Sequence, residues 1–284
     1  MRLRSLCALA LTALPAGAGE FLGSHSWSPG WDGSGGYSAL WLDTEGTGFV
    51  TLSDRGTWVT GTLARDPAGV VAGIEVTGRG PLLRSDGTEM QKGEGDSESI
   101  AIVDGIAYVA FEGAHRVMRY PSLDGTPEWI PQLEAFGALT GNRGIEALAA
   151  DAEGRLYAIP ERLPGRRTAT FPIWRSEGEI WRQPFALTRD AFYLVTGADI
   201  GPDGRLYVLE RAFLAIGFRS RLRSMAVDGS EPRLEFESAL RAHDNLEGLA
   251  VWRDADDRLR ATMISDDNQR PWLQRTEFVD YVLD

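Results

Sequence analysis

The chain has 284 residues, of which 43% are hydrophobic and 25% charged, and its 29 basic residues against 41 acidic ones give a formal net charge of -12. That hydrophobic content excludes a disordered chain, and the acidic balance argues against nucleic-acid binding, which needs a basic surface. The only cysteine is Cys7, so the fold must be held by a core rather than by disulfides.

The N-terminus has the pattern of a signal peptide. Arg2 and Arg4 precede an apolar run, Leu6–Leu14, which is too short to remain as a membrane-spanning helix. The following Ala16-Gly17-Ala18 supplies the small side chains of a cleavage site. We therefore expect a signal peptide over residues 1–18 and a periplasmic or secreted protein that is not inserted in a membrane. Loss of both arginines would leave 27 basic residues against 41 acidic ones, a charge of -14.

The remaining residues, 19–284, are predicted to form one all-β domain. Runs of Val, Ile, Leu, Tyr and Trp alternate with Asp/Gly turns, which is typical of antiparallel hairpins. A weak repeat recurs along the chain, at Ser38–Trp41, Glu98–Ala101, Glu146–Ala149, Gly197–Ile200 and Glu247–Ala250. Each copy is followed by a turn and further strands, and four strands per repeat predict a single β-propeller of four-stranded antiparallel blades. We count five blades, with six possible if one is degenerate.

The ring is predicted to close through the N-terminal end of this domain. The last repeat runs out of chain after Glu277–Leu283 and has only three strands of its own. The segment Phe21–Trp27 can supply the fourth strand, which would remove the exposed edges of an open ring.

Charged residues recur at the hairpin ends. Since a hairpin folds back on itself, the start of its first strand and the end of its second lie at the same end. The first-strand starts carry Glu98, Glu146, Asp199 and Glu247. The second-strand ends carry Asp54, Arg55, Glu112, Glu161, Arg162, Glu210, Arg211 and Asp266. If the inner strands line a channel, both groups converge on one mouth.

This arrangement predicts a cation site. Clustered carboxylates repel one another, and oxygen ligands without cysteine favour Ca²⁺ or Mg²⁺ over zinc or copper. We expect the four first-strand acids to hold Ca²⁺ and the second-strand group to bind a small anionic or ester substrate. The alternative is structural, because acids at strand ends also cap backbone N–H groups or pair with arginines of the next blade. No G-x-S-x-G elbow, Walker loop or dinucleotide motif is present in the sequence.

Several short motifs together resemble one protein family. They are Gly35–Leu40, Ser53–Gly56, Asp96–Ile100, Asn142–Leu148, Thr196–Asp199, Leu209–Phe213 and Asp244–Leu249. In order and spread they resemble the bacterial phytase-like proteins, a family described as having esterase-like activity. The resemblance implies a propeller distantly related to the calcium-dependent propeller phytases.

The sequence leaves three hypotheses open. The first is an exported, calcium-dependent hydrolase of phosphoesters or related esters, expected to be a monomer. The second is a non-catalytic periplasmic propeller that binds a ligand or a protein, since a fold alone does not carry function. The third resembles the gluconolactonase propellers, which use a Glu/Asn/Asp metal site, with Asn142, Asn245 and Asn268 as candidate asparagines.

Overall fold

The protein is described here from a computed structural model. The described residues are 19–91, 93–112, 115–139, 144–161, 169–190, 192–268, 270 and 273–283. The predicted signal peptide, residues 1–18, lies outside the described residues.

Within these ranges the chain forms strands and one short 3-10 helix, Glu134–Ala138, and no α-helix. In chain order the strands are β1 (Glu20–Ser26), β2 (Tyr37–Leu42), β3 (Gly48–Ser53), β4 (Thr57–Arg65), β5 (Val71–Pro81), β6 (Ser97–Val103), β7 (Ile106–Phe111), β8 (Arg116–Tyr120), β9 (Glu128–Trp129), β10 (Ile145–Ala150), β11 (Leu156–Pro160), β12 (Thr170–Glu177), β13 (Ile180–Thr188), β14 (Leu194–Ile200), β15 (Arg205–Phe213), β16 (Phe218–Ala226), β17 (Arg233–Glu237), β18 (Asn245–Arg253), β19 (Leu259–Asp266) and β20 (Glu277–Leu283). None of the described elements is a helix of the length and apolarity that a membrane span requires.

The strands form five four-stranded antiparallel blades, which confirms the predicted propeller. Blades 1 to 4 run outward in chain order from the inner strands β2, β6, β10 and β14. In blade 5 the order is β18-β19-β20-β1, so the N-terminal strand supplies the outermost position. The inner strands contact one another in sequence, and β18 returns to β2, so the ring is closed.

The predicted closure is confirmed by the pairing of β1 with β20. The two strands are antiparallel, with Glu20 opposite Val282 and Ser26 opposite Glu277. This pairing joins the N-terminal and C-terminal strands within one blade and completes its four strands.

The core consists of five apolar clusters, one between each pair of neighbouring blades. The cluster between blades 5 and 1 is aromatic: Trp27 stacks on Tyr37 with ring centroids 4.9 Å apart and meets Phe278 at 5.8 Å. Because the alternating side chains of each strand face two different neighbours, every blade contributes to two clusters. Packing between blades therefore fixes the inner strands around the central axis.

Candidate functional site

Each inner strand carries a bulge at the same place. The register between the first and second strands of every blade shifts by one residue near the start of the inner strand. The extra residues are Ser38, Glu98, Glu146, Thr196 and Glu247. A bulged residue leaves the regular alternation and its side chain is re-aimed. We call these five positions the inner ring and the end of the propeller at which they lie the upper face.

A second set of positions surrounds the inner ring. It consists of the second-strand residues that pair two positions before each bulge. They are Asp54, Glu112, Glu161, Arg211 and Asp266. We call these positions the outer ring. Four are carboxylates and the fifth, in blade 4, is an arginine.

The inner-ring glutamates interact with one another across the channel. Burial, together with the charges of Glu146 and Glu247, raises the pKa of Glu98 well above its ordinary value. Burial also raises the pKa of Glu146, and the charges of Glu161 and Glu112 add to that shift. Three acids that the sequence placed in one group therefore do converge, although they are far apart along the chain.

Arg211 is the cation of the two rings. Its Nη1 donates to Oε1 of Glu247 at 2.6 Å and to Oδ1 of Asn245. Burial opposes the arginine's charge, but Glu247 and the carboxylates near it raise the pKa of Arg211, so the guanidinium stays protonated. The positive charge of Arg211 acts mainly on Glu247, while the pKa values of Glu98 and Glu146 stay raised.

Asp96, Glu98 and Glu112 form a compact group of acids. One carboxylate oxygen from each lies within 4.8 Å of the other two. Calcium binds oxygen ligands at about 2.4 Å, so ligands on opposite sides of one ion are about 4.8 Å apart. These three carboxylates therefore have a spacing that fits Ca²⁺, and their oxygen-only chemistry fits it as well.

The predicted set of metal ligands did not include two residues that the structure places at this site. Asp96 lies two residues before Glu98, and Asn245 lies two residues before Glu247. Asn245 Nδ2 donates to Glu247 at 2.9 Å and to Oδ2 of Asp266 at 3.4 Å. The signal was the common spacing, an oxygen-bearing side chain two positions before a glutamate at the bulge.

The loop before β2 contacts two carboxylate residues of the upper face, Asp54 and Asp267. The amide of Gly36 donates to Oδ1 of Asp267 at 3.0 Å, and the amide of Asp54 donates to the carbonyl of Gly36 at 2.8 Å. A Cβ on Gly36 would lie 2.3 Å from Oδ1 of Asp54, and Gly36 has φ of 69°. Only glycine fits this close approach.

Burial, with Glu247 and Asp54 nearby, raises the pKa of Asp266 to about 8.

The structure does not place Asp199 with the other predicted metal ligands. Asp199 pairs with Tyr207 near the turn end of β14, whereas the bulge of that strand is at Thr196. Its carboxylate accepts from the amides of Val251 at 2.7 Å and Ile200 at 2.8 Å. Asp199 therefore links blade 4 to blade 5 by a hydrogen bond at the lower end of the channel. The residue of blade 4 in the inner ring is Thr196.

Glu210 likewise lies away from the predicted substrate group. It is fully buried, and both of its oxygens accept from arginines, at 2.8 Å from Arg221 and 2.6 Å from Arg223. Neighbouring residues of a strand face opposite sides, so Glu210 points toward blade 3 while Arg211 points toward blade 5. The outer-ring member of blade 4 is therefore Arg211, and Glu210 belongs to a buried ion-pair network.

Of the other two predicted arginines, Arg55 and Arg162, the structure describes only Arg55. Arg55 follows Asp54 directly and is exposed on the upper face. Arg162, which follows Glu161, lies outside the described residues, as does Asn142. Arg55 and Arg211 are thus the predicted cations that the structure places at this mouth.

The raised pKa values of Glu98, Glu146 and Asp266 predict an unusual pH dependence. Because these carboxyl groups titrate at higher pH in the folded state, the folded protein holds more protons than the unfolded chain, and its stability falls as pH rises. We expect the melting temperature of chelator-treated protein to fall between pH 6.5 and about 8.5, through the pKa of about 8 of Asp266. The buried His243, with its pKa lowered to about 4, acts in the opposite sense only below this window. Thermal melts across the window test this, and a rising melting temperature would contradict it.

These features define a class of protein: a five-bladed β-propeller with an oxygen-rich, acidic mouth at one end of its channel. The chain belongs to the phytase-like family described as "Esterase-like activity of phytase", which matches residues 32–269. The match covers both rings, and it confirms the resemblance drawn from the short motifs. No curated protein matches the sequence.

Solved structures share the fold at low identity. The PQQ-bound aldose sugar dehydrogenase from Streptomyces coelicolor is 14% identical, with 96% of this chain and 100% of that chain covered and a TM-score of 0.50. An endo-arabinase from Bacteroides thetaiotaomicron is 12% identical, with 86% and 92% covered and a TM-score of 0.49. A calcium-binding protein, regucalcin, from Agrobacterium tumefaciens is 11% identical, with 87% and 90% covered and a TM-score of 0.47. Likeness at this level concerns the propeller alone.

Proposed function

We propose that this protein is an exported, calcium-dependent hydrolase of phosphoesters or related esters, with its active site on the upper face. The observation that carries the proposal is the convergence of seven carboxylates around one arginine. They are Glu98, Glu146 and Glu247 of the inner ring, Asp54, Glu112, Glu161 and Asp266 of the outer ring, and Arg211. Desolvated acids that repel one another are stable together when a divalent cation neutralises them.

The residues divide into two roles. Asp96, Glu98 and Glu112 have the spacing to hold Ca²⁺, with Glu146 as a further ligand on the neighbouring inner strand. A bound cation of this kind polarises an ester or phosphoryl oxygen and lowers the pKa of its water. Arg211 and Arg55 would orient the anionic group, because a guanidinium presents a planar pair of donors to phosphate or carboxylate. Glu247 and Asn245 hold Arg211 in place.

Calcium is expected to stabilise the protein and to be required for turnover. A ligand at about 100 times its Kd adds about 2.7 kcal/mol to the free energy of unfolding, which for a domain of this size raises the melting temperature by roughly 5–10 °C. The measurement is a thermal melt and an ester and phosphomonoester panel, each with calcium and with chelator. The proposal fails if the pure, calcium-loaded protein releases no product from the panel.

A second candidate is a lactonase. Asn245 Nδ2 donates to both Glu247 and Asp266, which brings together the Glu/Asn/Asp donor set expected of a gluconolactonase-like site. A lactone screen with Ca²⁺ and with Zn²⁺ separates this candidate, since lactone opening with no release of phosphate would favour it.

A further inference from the structure

A large cavity opens on the upper face between blades 4 and 5. Its volume is about 890 Å³. Its apolar wall is formed by Phe213 at the end of β15, Ile216 of the following loop, Phe218 at the start of β16 and Leu273 of the loop after β19. Phe213, Ile216 and Leu273 are exposed, and Phe218 is partly buried. Phe213 and Phe218 pack with ring centroids 5.2 Å apart. An apolar wall of this size facing solvent marks a binding surface for an apolar group.

A second set of lining residues is basic. Arg241, Arg270 and Arg275 line the cavity, all three are exposed, and none forms an ion pair with another described residue. Among the described lining residues the one acid is Asp244, which accepts from the amide of Arg275 at 2.9 Å and from Nε2 of Gln274 at 3.1 Å. The cavity is thus locally positive on a chain whose formal charge is -12. Guanidinium groups in such a setting attract an anion.

Of the lining residues that the structure describes, the remaining ionisable one is His243. It is buried, its Nε2 lies 2.7 Å from the hydroxyl of Tyr281, and burial lowers its pKa to about 4. The imidazole is therefore neutral near pH 7 and adds no charge to the cavity. The three arginines set its electrostatic character.

The loops around the cavity adopt costly backbone conformations. Ala215 has φ of 61°, Arg241 has φ of 65° and Asn268 has φ of 47°, all in the left-handed region. A residue other than glycine in that region costs free energy and persists where the surroundings require it. Three such residues lining one cavity indicate that the surrounding structure fixes the shape of these loops.

The cavity is joined to the acidic mouth by two direct contacts. The guanidinium of Arg211 lies 5.8 Å from the ring centroid of Phe218. On the other side, the amide of Asn268 donates to Oδ1 of Asp266 at 2.7 Å. A molecule bound against Phe218 would therefore lie next to Arg211 and the outer ring.

We infer that this cavity binds the part of the substrate that does not react, an apolar or aromatic body that carries a second anionic group. The inference rests on the proposed function only for the reacting end of the molecule. A wholly polar polyol phosphate would leave Phe213, Ile216 and Phe218 unmatched, whereas an amphipathic ester contacts both the apolar and the basic lining residues. The substrate class is thus an ester with a hydrophobic body and a separate carboxylate, sulfonate or phosphate.

Two dyes of matched shape test the cavity without any turnover. 8-Anilinonaphthalene-1-sulfonate has an apolar body and an anionic group, and N-phenyl-1-naphthylamine has the same body without the charge. In the full chain we expect the sulfonate dye to bind more tightly than the neutral one. The double substitution Arg241→Gln with Arg270→Gln is expected to weaken the sulfonate dye about tenfold or more, and to leave the neutral dye within about twofold. Ile216→Ser is expected to weaken both dyes.

The substituted side chains are exposed, so folding is retained, and Arg233→Gln on the outer strand of blade 4 is the matched control. The inference is overturned if the arginine pair leaves sulfonate-dye binding unchanged, or if Ile216→Ser affects neither dye. Dye binding as expected, with no hydrolysis of any ester, would support the cavity and reject the proposed function. Hydrolysis without these dye effects would support the proposed function and reject the cavity.

Discussion

Replacing Glu146 with glutamine is expected to abolish calcium-dependent turnover while making the metal-free protein more stable. Glu146 lies on the inner ring, where Glu161, Glu112 and Glu247 surround it. Loss of even an outer-shell group costs a metal site about 10- to 100-fold in affinity or activity, so loss of a direct ligand is expected to lower kcat/KM by at least about 100-fold. The same change removes a repelled, desolvated charge from the channel.

The stability effect has a defined sign and pH window. Because burial and the neighbouring carboxylates raise the pKa of Glu146, the cost of its ionisation grows as pH rises, and the glutamine variant is expected to melt a few degrees higher than the wild type in chelator at pH 8. Below about pH 4, where the glutamate is also protonated in the unfolded chain, the two proteins should melt together. The calcium-induced rise in melting temperature should be lost or much reduced in the variant. Melts and kinetics with and without calcium measure all three effects.

The matched control is Glu89→Gln, which changes an exposed glutamate outside the two rings. It should alter neither turnover nor the calcium response. A cation site predicts that Glu146→Gln lowers turnover and raises the melting temperature of the metal-free protein. A structural network predicts a lower melting temperature instead. If Glu146→Gln lowered stability in chelator and left the calcium response intact, the acids would be structural.

The fold was readable from the sequence because its signals are local. Asp/Gly turns between apolar strands repeat along the chain, as in Asp151–Gly154 and Gly201–Gly204, and each sets a hairpin. The five blades and the closing strand follow from counting such hairpins and from the missing strand of the last one. The convergence of Glu98, Glu146 and Glu247 follows in turn, since all three lie at equivalent hairpin ends.

The fourth blade was misread because two coincidences hid its register. Counting back five residues from the turn at Asp151 gives Glu146, and the same count from Gly201 gives Thr196 rather than Asp199. The prediction aligned Gly197–Ile200 with the other copies of the repeat because that segment contains an acid, Asp199. The register is instead fixed by the bulge in β14, through its pairing with the second strand. An offset of three residues moved the predicted ligand from one end of the channel to the other.

The second coincidence is the Glu-Arg pair shared by blades 3 and 4. Glu161-Arg162 and Glu210-Arg211 look equivalent as dipeptides. Aligned instead on Leu156-Tyr157 and Leu206-Tyr207, Glu161 corresponds to Arg211. Because side chains alternate along a strand, an offset of one residue transfers a side chain to the opposite face. The sequence held this information in the distance from the turn.

Glu210 and Arg211 therefore offer a direct test of the register. Glu210→Gln is expected to destabilise the protein strongly, because it leaves Arg221 and Arg223 buried without their shared carboxylate. Breaking a buried ion-pair network by removing one partner costs about 3–5 kcal/mol. In a domain of this size that corresponds to a fall in melting temperature of roughly 6–20 °C. Below that temperature its KM and kcat for an anionic ester should match the wild-type values.

Arg211→Gln is expected to show the opposite profile, because Arg211 lies in the outer ring beside Glu247. It should raise KM for an anionic ester about tenfold or more. Replacing Glu210, Arg221 and Arg223 together by Met, Leu and Met removes every charge of the buried network, and such replacements are often neutral or stabilising. Recovery of the melting temperature in that triple variant would show that the loss in Glu210→Gln came from unpaired arginines. If Glu210→Gln raised KM and Arg211→Gln did not, the outer ring would have to be redrawn through Glu210.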